Sequence, residues 1–271
     1  MNGLTPIGTY DVLQQTSQAL LIMMVVVWAL SVRMRDASIV DLIWGPGFAV
    51  VGWAAWMVQP DPAVKSGVGV ILASIWGLRL GLYLAKRNLG KGEDFRYQSI
   101  RQRVGPTFWW SSFFVVFGFQ GTLIWIISMP LQLALVAPNL PSAHIWQAVG
   151  GLCWAVGIFF EAVGDYQLAQ FKADPASKGQ VMDRGLWRYA RHPNYFGDAL
   201  LWWGLYLVSV GEGAPLWTAF APLLMTFLLL RVSGVALLER TITERRPAYR
   251  AYIERTSAFI PWFPKQPKTE G

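Results

Sequence analysis

The sequence predicts an all-α, polytopic membrane bundle of about seven transmembrane helices, with its N-terminus outside and its C-terminus cytoplasmic. Three observations carry that prediction. Of the 271 residues, 54% are hydrophobic and 14% charged, against about 25% charged in a typical soluble domain. The apolar residues gather into blocks long enough to cross a hydrocarbon core about 30 Å thick, which takes about 20 helical residues. Lys and Arg fall almost entirely between alternate blocks, as they do in cytoplasmic loops.

The blocks run in order from Val12 to Val32, Ile39 to Val58, Gly67 to Ala85, Thr107 to Met129, Ala143 to Gly164, Tyr195 to Val210 and Pro215 to Leu238. Each is expected to be helical, because a spanning segment must satisfy its own backbone hydrogen bonds and none of these alternates like a barrel strand. The first has no small-residue cleavage site behind it and reads as a retained anchor. The basic residues follow the first, third, fifth and seventh blocks, whereas the opposite loops, near 59–66, 130–142 and 211–213, hold Lys65 alone of the 23 Lys and Arg residues. That asymmetry sets the orientation. The whole of 1–271 reads as a single transmembrane domain.

Composition and motifs also exclude classes of function. A single cysteine, Cys153, permits no intrachain disulfide. With the two histidines, His144 and His192, expected on opposite membrane faces, a His/Cys metal site is not expected either. There is no P-loop, no glycine-rich dinucleotide fingerprint, no internal repeat and no signature of nucleic-acid binding. A nucleotide site here must be built without a Rossmann fold.

The charges inside the blocks include Asp41, Arg79, Glu161 and Arg231. Each costs about 2.5–3.5 kcal/mol at a helix centre on insertion scales. Arg79 and Arg231 lie near inner ends, where long side chains can snorkel; Asp41 is short and is expected to pair, with Arg79 as one partner. On the fifth block and its continuation, Glu161 and Asp165 share a helix face, with Tyr166 beside them and Lys172 further on. That polar face suits ribose or amide groups, or equally a solvated surface.

The densest chemistry lies in DRGLWRYARHPNYFGD, Asp183 to Asp198. Pro193 disfavours helix at His192 and suits the first turn of a new one. Arg188, Arg191 and His192, with the free N–H groups of that turn, form a candidate anion site, and Asn194 and Asp198 share a face. The tail ERRPAYRAYIERTSAFIPWFP places Arg246 and Tyr249 on an amphipathic helix. This helix can lie on anionic lipid or fold over the collar as a lid.

These segments carry a family resemblance. GLWRYARHPNYFGD and RPAYRAYIERTSAFIPWFP are similar to the C-terminal signatures of membrane steroid 5-alpha-reductase-like proteins, over a catalytic region corresponding to 161–264. WGLRLGLYLAKRNLGKGEDFRY resembles in particular the bacterial branch known as DUF1295, which favours a bacterial inner membrane. The superfamily also includes sterol C14 and C7 reductases, which use NADPH, and isoprenylcysteine carboxyl methyltransferases, which use S-adenosylmethionine.

The resemblance implies a membrane NADPH-dependent reductase acting on a carbon–carbon double bond of a lipophilic, steroid-like or enone-bearing substrate drawn from the bilayer. The alternatives are a methyltransferase or a non-catalytic lipid-binding protein. It implies that Asn194 contacts the nicotinamide amide, with Asp198 one turn on and Asp165 and Tyr166 as the family's aspartate–tyrosine pair. Lys172, Arg188, Arg191, Arg231, Arg246, Arg96, Arg101 and Arg103 supply candidate phosphate ligands, and Arg79, His192 and Tyr249 complete the cofactor set. Trp187, Tyr189 and Tyr195 would shield the ring. Tyr83, or a protonated Asp41 standing in for the family's second-helix glutamate, would serve the substrate ketone. Trp44, Trp53 and Gln120 would line the substrate pocket, although aromatic residues at such depths more commonly pack or anchor.

Overall fold

The computed structural model describes residues 8–59, 67–137, 144–232, 235, 239, 242–243 and 247–265. Among them there are helices and no strand, the one β-type contact being an isolated bridge between Ala190 and Ser257. Among the described residues, five helices are long and apolar enough to cross a membrane: α1 (Thr9–Met34), α2 (Ile39–Met57), α3 (Val68–Asn88), the run Phe95–Ile127 and α8 (His144–Ala173). Chain and composition therefore agree on a helical membrane protein. The described residues of the sixth and seventh expected blocks are largely helical but do not meet the same measure. Helix α9 (Pro193–Gly211) opens with the polar pair Asn194 and Asp198, and the segment Leu216–Val232, which includes α10 (Phe220–Phe227), is short.

The chain divides into two compact units. Unit one comprises Met1–Gln147 and Val208–Ala221. Within it, α1 buries Val12, Thr16, Leu20, Met24, Val27 and Ser31, a stripe at helical spacing, and leaves Leu21, Ile22, Val25 and Val26 exposed as a lipid-facing side requires. Helices α2 and α3 meet through Gly45 and Gly77; a Cβ on Gly45 would lie 2.6 Å from the Gly77 carbonyl oxygen, so only glycine allows the backbones this close.

The run Phe95–Ile127 is composite. It consists of α4 (Phe95–Val104), a turn at Gly105–Thr107, α5 (Phe108–Ser112), a π-helical stretch Phe113–Gly118 and α6 (Phe119–Ile127). The next segment corrects the reading of 130–142 as an outer loop. Met129–Val136 forms α7, with Pro130 to Leu135 all buried. Apolar Pro130, Leu131 and Leu133 drive this burial, and Gln132 follows them in because its polar atoms are satisfied. The Gln132 Oε1 accepts from Thr16 Oγ1 at 2.6 Å, and its Nε2 donates to the Trp125 carbonyl at 2.9 Å and to Ser128 Oγ at 3.0 Å. The polar residue that binds helices together is thus Gln132; Gln120, on α6, is half-buried.

Unit two comprises Ala148–Leu207 and Pro222–Gly271 and holds most of α8, α9 and the terminal helix α11 (Tyr249–Arg255). Helix α9 buries Ala199, Leu201, Trp202, Leu205 and Tyr206. An interior helix needs no continuous apolar surface, which explains how it tolerates its polar first turns. Helices α8 and α9 approach at Gly164, where a Cβ would lie 3.2 Å from the Asn194 backbone nitrogen.

Candidate functional site

In unit two the residues of the collar separate into two clusters. The first centres on Asn194, in the first turn of α9. Its Nδ2 donates to Asp165 Oδ1 at 3.0 Å, while its Oδ1 is buried with no hydrogen-bond partner among the described residues. Asp165 and Glu161 are buried on the facing side of α8, and Asp198 is buried one turn further along α9. The sequence spacing put each pair on one face of its helix, and the structure turns those faces together. The amide nitrogen of Asn194 points toward Asp165, whose Oδ1 accepts from it. The carbonyl oxygen is left as an unused buried acceptor, which costs free energy unless a donor arrives.

The second cluster is closed. Arg191 donates from Nε to Glu239 Oε1 at 2.7 Å and from Nη2 to Glu239 Oε2 at 3.0 Å. Its Nη1 reaches the backbone carbonyls of Ile253 at 3.0 Å and Thr256 at 2.8 Å. His192 Nε2 lies 3.0 Å from Glu239 Oε1, and the Tyr249 hydroxyl donates to the same oxygen at 3.4 Å. Burial by itself favours the neutral form of Glu239. The hydrogen bonds from His192 and Arg191 and the adjacent guanidinium charge prevail, holding its carboxyl at about 2 against an ordinary 4.5. Burial pushes the Tyr249 phenol up, and the neighbouring Glu239 charge adds to it.

This geometry corrects two expectations. Arg191 is a candidate phosphate ligand and Tyr249 a member of the cofactor set by resemblance, but the guanidinium is engaged by Glu239 and the tail, and Tyr249 is buried beside it. Trp187 was read as a shield over a nicotinamide ring, yet it is 7% exposed. Its Nε1 donates to the Gly164 carbonyl at 3.0 Å, and its own carbonyl accepts the Tyr252 hydroxyl, so it works as a pin between α8 and α11. Tyr195 stacks on His192 with centroids 5.6 Å apart, and Tyr189 packs edge-on against Phe263. Tyr166, Lys172, Arg188 and Arg231 are exposed. Arg246 lies outside the described residues.

In unit one, Asp41 is an acceptor on both oxygens. Arg96 Nη2 reaches Oδ2 at 2.6 Å and the Tyr97 hydroxyl donates to Oδ1 at 2.6 Å. Glu93 adds a second clasp, accepting from the Ala37 amide at 2.8 Å and from Arg101 at 2.7 Å and 2.9 Å. Its carboxyl sits below the ordinary range because these donors, led by Arg101, outweigh its burial, which on its own raises it. Arg96 and Arg101, also read as phosphate ligands, therefore staple α4 to the start of α2. The guanidinium of Arg79 lies 5.4 Å from the Tyr83 ring centroid, and Arg87 approaches the same ring at 5.6 Å. Trp44 packs edge-on against Phe48 and Trp76, with its indole nitrogen buried and unpartnered among the described residues. Trp53 donates to Ser74 Oγ at 3.0 Å.

Sequence reasoning gave no site role to Glu239, Glu93 or Tyr97 and placed Tyr252 only on the amphipathic tail helix. Glu239 did carry a signal, being a carboxylate directly behind the last apolar block in a tail otherwise rich in arginine. Tyr252 follows Tyr249 by three residues and so shares its helix face.

Comparison with known proteins places the chain. The family described as "Protein of unknown function (DUF1295)" matches residues 16–256. The chain belongs to that family. Among curated proteins, the DUF1295 chain is similar to the uncharacterized protein C594.04c of Schizosaccharomyces pombe, 25% identical over 263 residues that take in 87% of this chain and 76% of that protein. A shorter likeness, 36% identity over 69 residues, links 26% of this chain to 24% of the probable O-methyltransferase ustE of Ustilaginoidea virens. No solved structure matches the chain significantly.

Proposed function

We propose that this DUF1295 protein is an integral membrane NADPH-dependent reductase that transfers hydride to a carbon–carbon double bond of a lipophilic, steroid-like or enone-bearing substrate. The observation that supports this reading is the buried, unused Oδ1 of Asn194. A nicotinamide carboxamide offers N–H donors, and Asp165 holds the Asn194 amide in the orientation that leaves an acceptor for them. Asn194, Asp165, Asp198 and Tyr166 would hold the nicotinamide end, and Lys172, Arg188, Arg231 and Arg246 would supply cations for the phosphates. NADPH, when bound, supplies the hydride.

Negative charge develops on the ketone oxygen as the double bond is reduced, and that oxygen needs a donor. Tyr83, whose ring carries the guanidinium groups of Arg79 and Arg87 beside it, would offer its hydroxyl for this role. Asp41, already accepting from Arg96 and Tyr97, would act by positioning rather than by donating. The proposal retains seven helices crossing the membrane, with the N-terminus outside and the basic segments cytoplasmic, where NADPH is available. Trp44, Trp53 and Gln120 would meet the lipophilic substrate.

A second reading, an S-adenosylmethionine-dependent methyltransferase, rests on the partial likeness to the probable O-methyltransferase. Thermal unfolding of the purified protein in detergent separates the two, since a ligand bound only by the folded state raises the melting point. NADPH should stabilise the protein, NADH less and S-adenosylmethionine little, and Asn194→Ala should remove the NADPH response. Stabilisation by S-adenosylmethionine alone would replace the reductase reading.

A further inference from the structure

Beyond α11 the chain turns back on the segment 183–198 and borders a groove of about 400 Å³. Its floor touches the closed cluster at Arg191, Ile253 and Thr256, and its mouth extends past that cluster along the tail. The segment is clipped at two points: the Trp262 amide donates to the Tyr189 carbonyl at 2.9 Å, and the Lys265 amide donates to the Arg255 carbonyl at 2.9 Å. Arg255, Ser257 and Lys265 line the groove with hydrogen-bond donors, and Glu254 sits among them. Asp183 engages one terminal nitrogen of Arg255 and leaves the guanidinium further donors. Trp262 and Phe263 also line the groove and are 71% and 77% exposed, with Ile260 beside them at 64%.

Water is a poor environment for three such side chains within four residues. In a chain whose described residues include five helices long and apolar enough to cross a membrane, aromatic residues next to cations are the composition of the headgroup layer, where rings sit among acyl carbonyls and cations meet lipid phosphates. The carboxylate of Glu254 selects among phosphates. It repels a doubly charged monoester or free phosphate more than a phosphodiester, which carries a single negative charge. We infer that this groove holds the phosphodiester headgroup of an anionic phospholipid, with Arg255, Ser257 and Lys265 on the phosphate and Ile260, Trp262 and Phe263 against the upper acyl chains.

The test uses the full chain in detergent, with melting temperature followed on adding phosphatidylglycerol, phosphatidylcholine or inorganic phosphate. Phosphatidylglycerol at a large excess should raise the melting temperature by on the order of 5 °C more than phosphatidylcholine. Lys265→Glu and Trp262→Ala should each remove at least half of that difference. Lys178→Glu, an exposed site with the same change in net charge, should keep it. The assignment is overturned if all three variants respond alike, which is the mark of diffuse attraction to a basic protein, or if inorganic phosphate reproduces the effect. Loss of the NADPH response in Lys265→Glu would also overturn it, by giving the groove to the dinucleotide.

Discussion

Arg191 and Asn194 stand three residues apart at the start of α9 and end in opposite circumstances. Arg191 has Glu239 on two of its nitrogens and backbone carbonyls on the third, while Asn194 has one partner and a buried oxygen with none among the described residues. By charge the arginine is the more conspicuous residue, yet its hydrogen-bonding capacity is nearly consumed in holding the tail. Asparagine is uncharged and unremarkable in a sequence, and it retains the capacity to bind something else. A polar cluster that satisfies itself stabilises the fold; one that leaves an acceptor unused in the interior keeps a capacity that a water, an ion or a ligand can meet.

The sharpest way to break this contrast is to open the closed cluster. Glu239→Ala leaves a buried guanidinium without its counter-charge and should cost about 3 kcal/mol or more of stability. The same change would free Arg191, so unfolding should be measured with and without NADPH. A loss in stability of under about 1 kcal/mol would place the pair among ordinary surface ion pairs and remove the contrast.

Next in size is Tyr252→Phe. The hydroxyl donates to the carbonyl of buried Trp187, and removing it strands that oxygen at a cost of about 2 kcal/mol. Because Trp187 in turn bonds the Gly164 carbonyl beside Asn194, this variant also asks whether the tail supports the open cluster. Weaker binding of NADPH at unchanged selectivity over NADH is the expected outcome, read from ligand-dependent melting curves.

A smaller effect should follow acidification. Glu239 titrates at about 2 when folded against an ordinary 4.5, so its contribution is fully present above about 4.5 and is lost as pH falls through about 2. After allowance for partial exposure this amounts to about 1–2 kcal/mol. Unfolding measured from pH 6 down to pH 3 should show the decline, and Glu239→Gln should flatten it relative to the native protein.

Much of the architecture was legible because burial and helicity are written in local patterns. The stripe from Val12 to Ser31, the proline start of α9 and the i, i+4 pairs Glu161/Asp165 and Asn194/Asp198 are all short-range features. Partners distant in sequence were not legible in the same way. Arg191 finds Glu239 and Asp41 finds Arg96 and Tyr97 across separations of 48, 55 and 56 residues, and no spacing rule chooses among 23 basic residues which one a carboxylate will meet. The α7 segment was misread for a related reason. Pro130 and the prolines after it resemble loop punctuation, whereas a proline in the first turn of a helix loses no backbone bond.

The smallest expected effect on stability is also the one that decides most about function. Asn194→Ala removes a hydrogen bond to Asp165, but it also removes an acceptor that the folded protein buries without a partner, and the two changes oppose each other. The net change should lie within about 1 kcal/mol, measured by denaturation without ligand, while the stabilisation by NADPH disappears. Asn194→Asp should behave differently, because it sets a carboxylate beside Asp165 and like charges in the interior repel. If instead Asn194→Ala proves as damaging as Glu239→Ala, then its oxygen has a structural partner after all, and both clusters serve the fold.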